Sequence, residues 1–202
     1  MTKPDRLGDA LRNLRRSHKW TLSDVAEKTS ISISTLSKVE RGQMSLTYDK
    51  LVLLADGLGV DITTFFSDAV PSPAASAAGR RSITRKGNGQ VIETPSYTYV
   101  YPNTDLLNRP FVPIIADVKA RTIDEFGPLL KHSGEEFVHV LEGKVVVHTE
   151  HYAPCELNQG DSIHLDSSMG HAFTAAGPGP CRLLSICSAH EGQLGQPAIE
   201  LT

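Results

Sequence analysis

Two hydrophobic rhythms divide this chain, and one kind of secondary structure cannot satisfy both. As far as Phe66 the apolar residues recur at helical spacing; from Ser82 onward they alternate with polar ones at period two. The first rhythm begins with Leu7, Ala10, Leu11 and Leu14, which give an amphipathic helix from Asp5 to His18 with Arg12, Arg15 and Arg16 off its apolar face. Thr21 is a good N-cap for a second helix, and Asp24 three residues on completes a variant capping box. Ser32 caps a third, whose inward stripe is Leu36 and Val39 and whose end is marked by Arg41-Gly42. A fourth runs from Thr47 to Leu58, with Leu51, Leu54, Ala55 and Leu58 inward and Gly59 as its stop. A last short helix, Ile62 to Phe66, brings two phenylalanines to close the core.

The outer face of the helix that follows Ser32 carries Ile33, Ser34, Ser37 and Lys38. It is slim, polar and singly basic, which suits a helix lying in a major groove, where hydroxyls and amines meet base edges while Arg41 and helix N-termini hold phosphates. The same face also suits a surface helix of a small bundle. Charge along the chain favours the first reading. Residues 1–68 carry ten basic and nine acidic side chains, residues 69–86 four basic and none acidic, and residues 87–202 six basic against fourteen acidic. A mildly basic N-terminal part on an acidic C-terminal part fits a nucleic-acid binder with a separate domain that does not touch DNA. The arginines at 12, 15 and 16 are further candidates for phosphate contacts or for a solvated face.

The segment from Leu7 to Phe66 resembles the xenobiotic-response-element, phage-repressor-like helix-turn-helix family nearly end to end. The run from Ser34 to Gly42 (STLSKVERG) and that from Leu54 to Val60 (LADGLGV) carry the likeness most clearly. The resemblance implies a five-helix DNA-binding domain over residues 1–68 in which the helix from Ser32 reads DNA. Ile33, Ser34, Ser37 and Lys38 would face bases, Thr21 and Arg41 phosphates, and a homodimer would sit on a two-fold symmetric stretch of duplex. Ile33 departs from the polar residue usual there.

Residues 69–81 are rich in proline, alanine and serine and read as a linker. Residues 82–202 read as short strands: 97–101, 111–118, 136–141, 144–148, 162–165 and 182–187, separated by turn signals such as Glu142-Gly143 and Gln159-Gly160-Asp161. Many evenly spaced strands without helices predict a sandwich or barrel with room for one small ligand. Cys155, Cys181 and Cys187 are odd in number and form no C-x-x-C pair, so they read as small buried thiols. No apolar run is long enough to span a bilayer and the start has no hydrophobic signal region; a soluble, cytoplasmic protein with no membrane partner is the expectation.

Within the strands, alternation places Leu130, His132, Glu136, Val138 and Val140 on one face if the extended segment is regular, and His171 comes from the end of another strand. Two imidazoles and a carboxylate meeting there can hold Zn, Ni, Mn or Fe in the divalent state; equally, they can form a hydrogen-bonded pocket without metal. His139, His148 and His151 read as ordinary strand histidines, whereas His164 is a candidate for the cavity wall. The segments from His132 to Gly143 (HSGEEFVHVLEG) and from Gly160 to Phe173 (GDSIHLDSSMGHAF) resemble the two motifs of the cupin family. The resemblance implies a double-stranded β-helix (jelly-roll) barrel. It also implies His132, Glu136 and His171 as metal ligands, with Leu130 standing where a further histidine belongs, and an effector pocket lined by Leu130, His132, Glu136, Val138, His164 and His171.

Two functions follow. One is a transcription regulator whose barrel binds a small-molecule effector and adjusts a dimer on a palindromic operator. The other is an oxidoreductase: the domain order, the His-Glu-His set and the string from His171 to Ala176 resemble the non-haem iron epoxidase of hydroxypropylphosphonate. The intact Ser34–Gly42 surface and the scattered basic residues of the barrel favour the regulator.

Overall fold

A computed structural model describes residues 6–66, 80–106 and 109–188. The first of these stretches holds α1 (Arg6–Ser17), α2 (Leu22–Thr29), α3 (Ile33–Glu40), α4 (Tyr48–Leu58) and a 3-10 turn, Ile62–Phe65, where the sequence suggests a fifth helix. The caps are built as the residue types require. Thr21 Oγ1 accepts from the Asp24 N–H at 3.1 Å and the Asp24 carboxylate accepts from the Thr21 N–H at 2.7 Å. Ser32 Oγ accepts from the Thr35 N–H at 3.2 Å. Gly42 and Gly59 supply the left-handed residues that end α3 and α4. Leu11, Val25, Leu36, Val39, Leu51, Leu54 and Phe65 are all fully buried at the centre.

Two features of this bundle are silent in the periodicity. Gly8 lets α1 cross α3 at close range, since a Cβ there would lie 2.3 Å from the Val39 carbonyl oxygen. Arg12 and Arg15 do not project toward a ligand. Both turn onto Glu40 at the end of α3, so their reading as phosphate contacts is replaced by a structural one. A carboxylate buried in a helix crossing needs that pairing. Arg16 is exposed.

The second part contains β1 (Gln90–Glu93), β2 (Tyr97–Tyr101), β3 (Phe111–Val118), a single helical turn α5 (Ile123–Phe126), β4 (Glu135–Glu142), β5 (Lys144–Thr149), β6 (Cys155–Asn158), β7 (Ser162–Asp166), β8 (His171–Ala175) and β9 (Arg182–Ser188). They form two antiparallel sheets ordered β1-β2-β3-β9-β4-β7 and β6-β5-β8. Alternation is visible in burial: Tyr97, Tyr99 and Tyr101 point inward on β2, as do Val112, Ile114, Ala116 and Val118 on β3. The Tyr97 hydroxyl joins the sheets, accepting from the Phe173 N–H at 3.0 Å and donating to its carbonyl at 3.1 Å. Strands β1 and β6 have mostly exposed side chains, so little hydrophobic alternation announces them. The turn α5 corrects the expectation of strands alone. Among the described residues no helix is long and apolar enough to cross a membrane. Most of the expected linker lies outside the described residues, and the described chain resumes at Arg80.

The helical and strand regions touch. Phe66 stacks on Tyr101 with ring centroids 4.8 Å apart, and Tyr48 at the start of α4 stands edge-on to His132 at 4.9 Å.

Candidate functional site

Glu136 is the centre of the strand region's interior. It points inward from β4, is 6% exposed, and faces three polar side chains. One carboxylate oxygen accepts from Ser185 Oγ. The other lies 3.2 Å from His171 Nε2 and 3.5 Å from His132 Nε2. His171 opens β8; His132 precedes β4, and its backbone N–H donates to the Ser167 carbonyl at 3.0 Å. The extended segment assumed from sequence is therefore not regular. Gly134, at φ +89°, breaks it before β4 begins at Glu135, and Leu130 is held instead by an isolated bridge to His171. His132 still reaches Glu136, by a turn rather than by strand alternation.

Both ring nitrogens of each histidine face an acceptor. His132 Nδ1 lies 3.2 Å from the Ser133 carbonyl and His171 Nδ1 lies 2.9 Å from the Met169 carbonyl. A carbonyl cannot donate, so each Nδ1 donates to it, and each Nε2 faces the Glu136 carboxylate, which likewise only accepts. That is the orientation in which imidazoles present Nε2 to a metal, with the backbone carbonyl as outer partner. Burial alone would raise the Glu136 pKa, but hydrogen bonds from His132 and His171 reverse this and hold it at about 2. Burial lowers the pKa of His171, yet the hydrogen bond and charge of Glu136 outweigh it and the net shift is upward.

A cysteine joins this cluster. Donor atoms of His132, Glu136 and Cys187 lie within 4.8 Å of one another. Cys187 pairs with Glu136 across the β4–β9 ladder, and its thiol is pushed well above the usual range by burial and by the Glu136 charge. Cys181 is also buried, whereas Cys155 is exposed and departs from the reading of all three as buried thiols. A pairing between strands this far apart in sequence leaves no trace in local spacing, so Cys187's position beside Glu136 has no sequence signal.

The cavity beside the cluster has a volume of about 40 Å³. Leu130, His132, Glu136, Val138 and His171 line it, as do Tyr48 and Asp49 of α4, which no sequence signal assigned to the strand region. His164 stands apart from it: exposed on β7, it lies 3.4 Å from Glu135 and borders a separate surface groove. No Lys or Arg is among the residues that line the cavity. His148 donates to or accepts from Thr174 Oγ1 at 2.9 Å. Tyr97, Tyr99 and Tyr101 are fully buried, and burial raises their pKa values, so their hydroxyls stay protonated.

In the helical region, α3 turns Leu36 and Val39 into the core and leaves Ile33, Ser34 and Lys38 exposed, with Ser37 half-buried between them. Ser32 and Thr21 are exposed at the starts of α3 and α2. Exposed Arg41 donates to Gln43 Oε1 at 3.1 Å just past the end of α3. These residues form one accessible edge comprising α3 and its two flanks.

Residues 11–65 match the helix-turn-helix family and residues 124–187 match the cupin domain family. The HTH-type transcriptional regulator PuuR of Escherichia coli (strain K12) is 25% identical over 179 residues, covering 88% of this chain and 92% of that protein. The HTH-type transcriptional regulator SutR of the same organism is 39% identical over 69 residues, covering 33% of this chain and 39% of its own. Among solved structures, an HTH_3 family transcriptional regulator from Vibrio cholerae shares the fold. It has a TM-score of 0.59 and 21% identity, and the match covers 92% of this chain and 96% of that one.

Proposed function

From a chain that joins a helix-turn-helix domain to a cupin domain, we infer a sequence-specific DNA-binding transcriptional regulator whose cupin domain takes a small-molecule effector. One observation carries the reading: α3 is capped at both ends, anchored by Leu36 and Val39, and free along Ile33, Ser34 and Lys38. In this reading Ile33, Ser34, Ser37 and Lys38 face base edges, Ile33 meeting a thymine methyl, while Thr21, Ser32 and Arg41 lie against phosphates. One such domain covers little DNA, so a homodimer on a palindromic site is part of the proposal.

In the cupin domain His132, Glu136 and His171 would hold a divalent transition metal, with Cys187 beside them. The Nδ1 contacts to backbone carbonyls support this, because they turn each Nε2 toward Glu136, where a metal would replace the shared protons. Bound there, the metal would supply a Lewis-acid contact for an oxygen or nitrogen donor of the effector. The epoxidase reading is less well supported. A phosphonate dianion needs basic partners, whereas the charged side chains lining the cavity besides the histidines are Asp49 and Glu136. Lys119, Lys131, Lys144 and Arg182 are each paired with a carboxylate away from it.

Selection of duplexes from a randomised pool with the full-length protein tests the function. An enriched motif with two-fold symmetry is the expected result. A pool that stays random, with or without added metabolites, overturns the regulator.

A further inference from the structure

The cavity beside Glu136 is walled on most sides by strands whose backbones are tied into the sheets, including β3, β4 and β9. The rest of the lining is the segment carrying Leu130 and His132 and the first turn of α4, which belongs to the helical region. Tyr48 and Asp49 are 6% and 9% exposed there. Tyr48 stands edge-on to His132 with ring centroids 4.9 Å apart. With this turn seated, the space measures about 40 Å³, room for a metal ion or a few waters. The seat is also imperfect. Thr47 Oγ1, Asp49 Oδ1, the Tyr101 hydroxyl, and Nε and Nη2 of Arg109 are buried without a hydrogen-bond partner among the described residues. Buried polar atoms left unpaired favour whichever arrangement returns them to a partner or to water. The α4 turn is thus the wall that moves at least cost, because no sheet hydrogen bond breaks when it leaves.

We propose that Tyr48 and Asp49 are the plug of the cupin cavity, so that occupancy of the cavity by an effector and seating of the helical domain exclude each other. Withdrawal carries the DNA-reading surface with it. The residues from Arg41 to Thr47 connect α3 to the plug, and Gly57 of α4 packs directly under the Lys28 carbonyl of α2. An effector that binds only the unplugged form shifts the protein toward that form by its full difference in affinity. The proposal rests on the reading of the cavity as an effector site and names how that site is regulated.

Cys187 is a reporter inside the plugged cavity, and Cys181, equally buried near the other end of β9, is an internal control. The full-length protein is treated with N-ethylmaleimide and each thiol's labelling is followed by peptide mass spectrometry. Tyr48→Ala is expected to speed labelling of Cys187 about tenfold or more while leaving Cys181 unchanged, as opening of one local wall requires; Tyr48→Phe keeps the ring and stays close to wild type. Equal rates at Cys187 in Tyr48→Ala and wild type overturn the plug. A second measurement covers a Tyr48→Ala chain that unfolds and labels at both thiols. In the Cys155→Ser, Cys181→Ser protein, Cys187 is converted to its benzyl disulfide with benzyl methanethiosulfonate, which places a benzyl group in the cavity. Hydrogen exchange in the first turn of α4 should then accelerate while that of α1 does not; unchanged exchange at α4 overturns the proposal. Neither measurement uses an operator, so a random duplex pool would remove the regulator and leave the plug standing.

Discussion

Arg15 holds Glu40 at two points, 2.6 Å and 2.9 Å, where α1 crosses the end of α3. Arg12 adds a third contact, its Nε lying 3.7 Å from the same carboxylate. Glu40 is 7% exposed and Arg15 is largely covered, so the pair fixes the helix crossing from within rather than decorating its surface.

Removing Glu40 takes the carboxylate from both arginines at a buried helix crossing. Glu40→Ala should therefore cost about 2 kcal/mol of helical-domain stability, read as a lower midpoint in thermal or urea unfolding. Arg15→Ala should be destabilising in the same direction. A midpoint equal to wild type for both variants would show that the crossing is held by apolar packing alone.

Lys38 is exposed on α3 while Leu36 and Val39 anchor the helix behind it, so its substitution tests binding with little effect on folding. Lys38→Ala should weaken binding to the selected duplex about tenfold or more if the ammonium meets a base. If it meets a phosphate instead, all duplexes weaken alike and the salt slope falls by about one. Unchanged affinity at every salt concentration would remove Lys38 from the interface.

The Asp24 carboxylate has its pKa lowered, first by the Thr21 backbone N–H and then by the Thr21 hydroxyl. A lowered folded-state pKa means stability that is present above the unfolded value, 3.8, and lost as the pH falls through the folded one. Asp24→Ala should accordingly lower the melting temperature at pH 7, with the gap to wild type closing as the pH falls below 3.8 and through the lowered folded-state pKa. A gap that is the same at both ends of the range would assign the loss to helix propensity rather than to the capping box.

Protein purified without chelator should carry up to one first-row transition ion per chain by elemental analysis, lost in His132→Ala and in Glu136→Ala. Leu130→Ala should retain it, since a leucine offers no donor. Chelation should lower the melting temperature of the wild type and not of the two ligand variants, because only a bound ion stabilises by mass action. Wild type without metal and indifferent to added Zn, Ni, Mn or Fe would leave the trio as a purely hydrogen-bonding pocket.

Local patterns carried much of this molecule. Thr21, Asp24, Ser32, Gly42 and Gly59 set the helix ends, because a cap is chosen by a residue's reach to backbone groups within one turn. The inward tyrosines of β2 follow from period two alone. Motif spacing marks His132, Glu136 and His171, although the alternation expected to join His132 to Glu136 is broken at Gly134.

What the chain alone did not reveal are relationships between residues far apart along it. Arg15 looks like any basic residue on a helix until α3 delivers Glu40 to it. Cys187 has no pattern of its own; the register of β9 against β4 sets it beside Glu136. Tyr48 and Asp49 read as the start of a helix, and only the docking of α4 on the strand region turns them into a wall of its cavity. Capping and alternation are decided within a few residues by backbone geometry, so the sequence determines them by itself. Burial, pairing and the closing of a cavity depend on which distant surfaces meet, and that was decided by the tertiary structure.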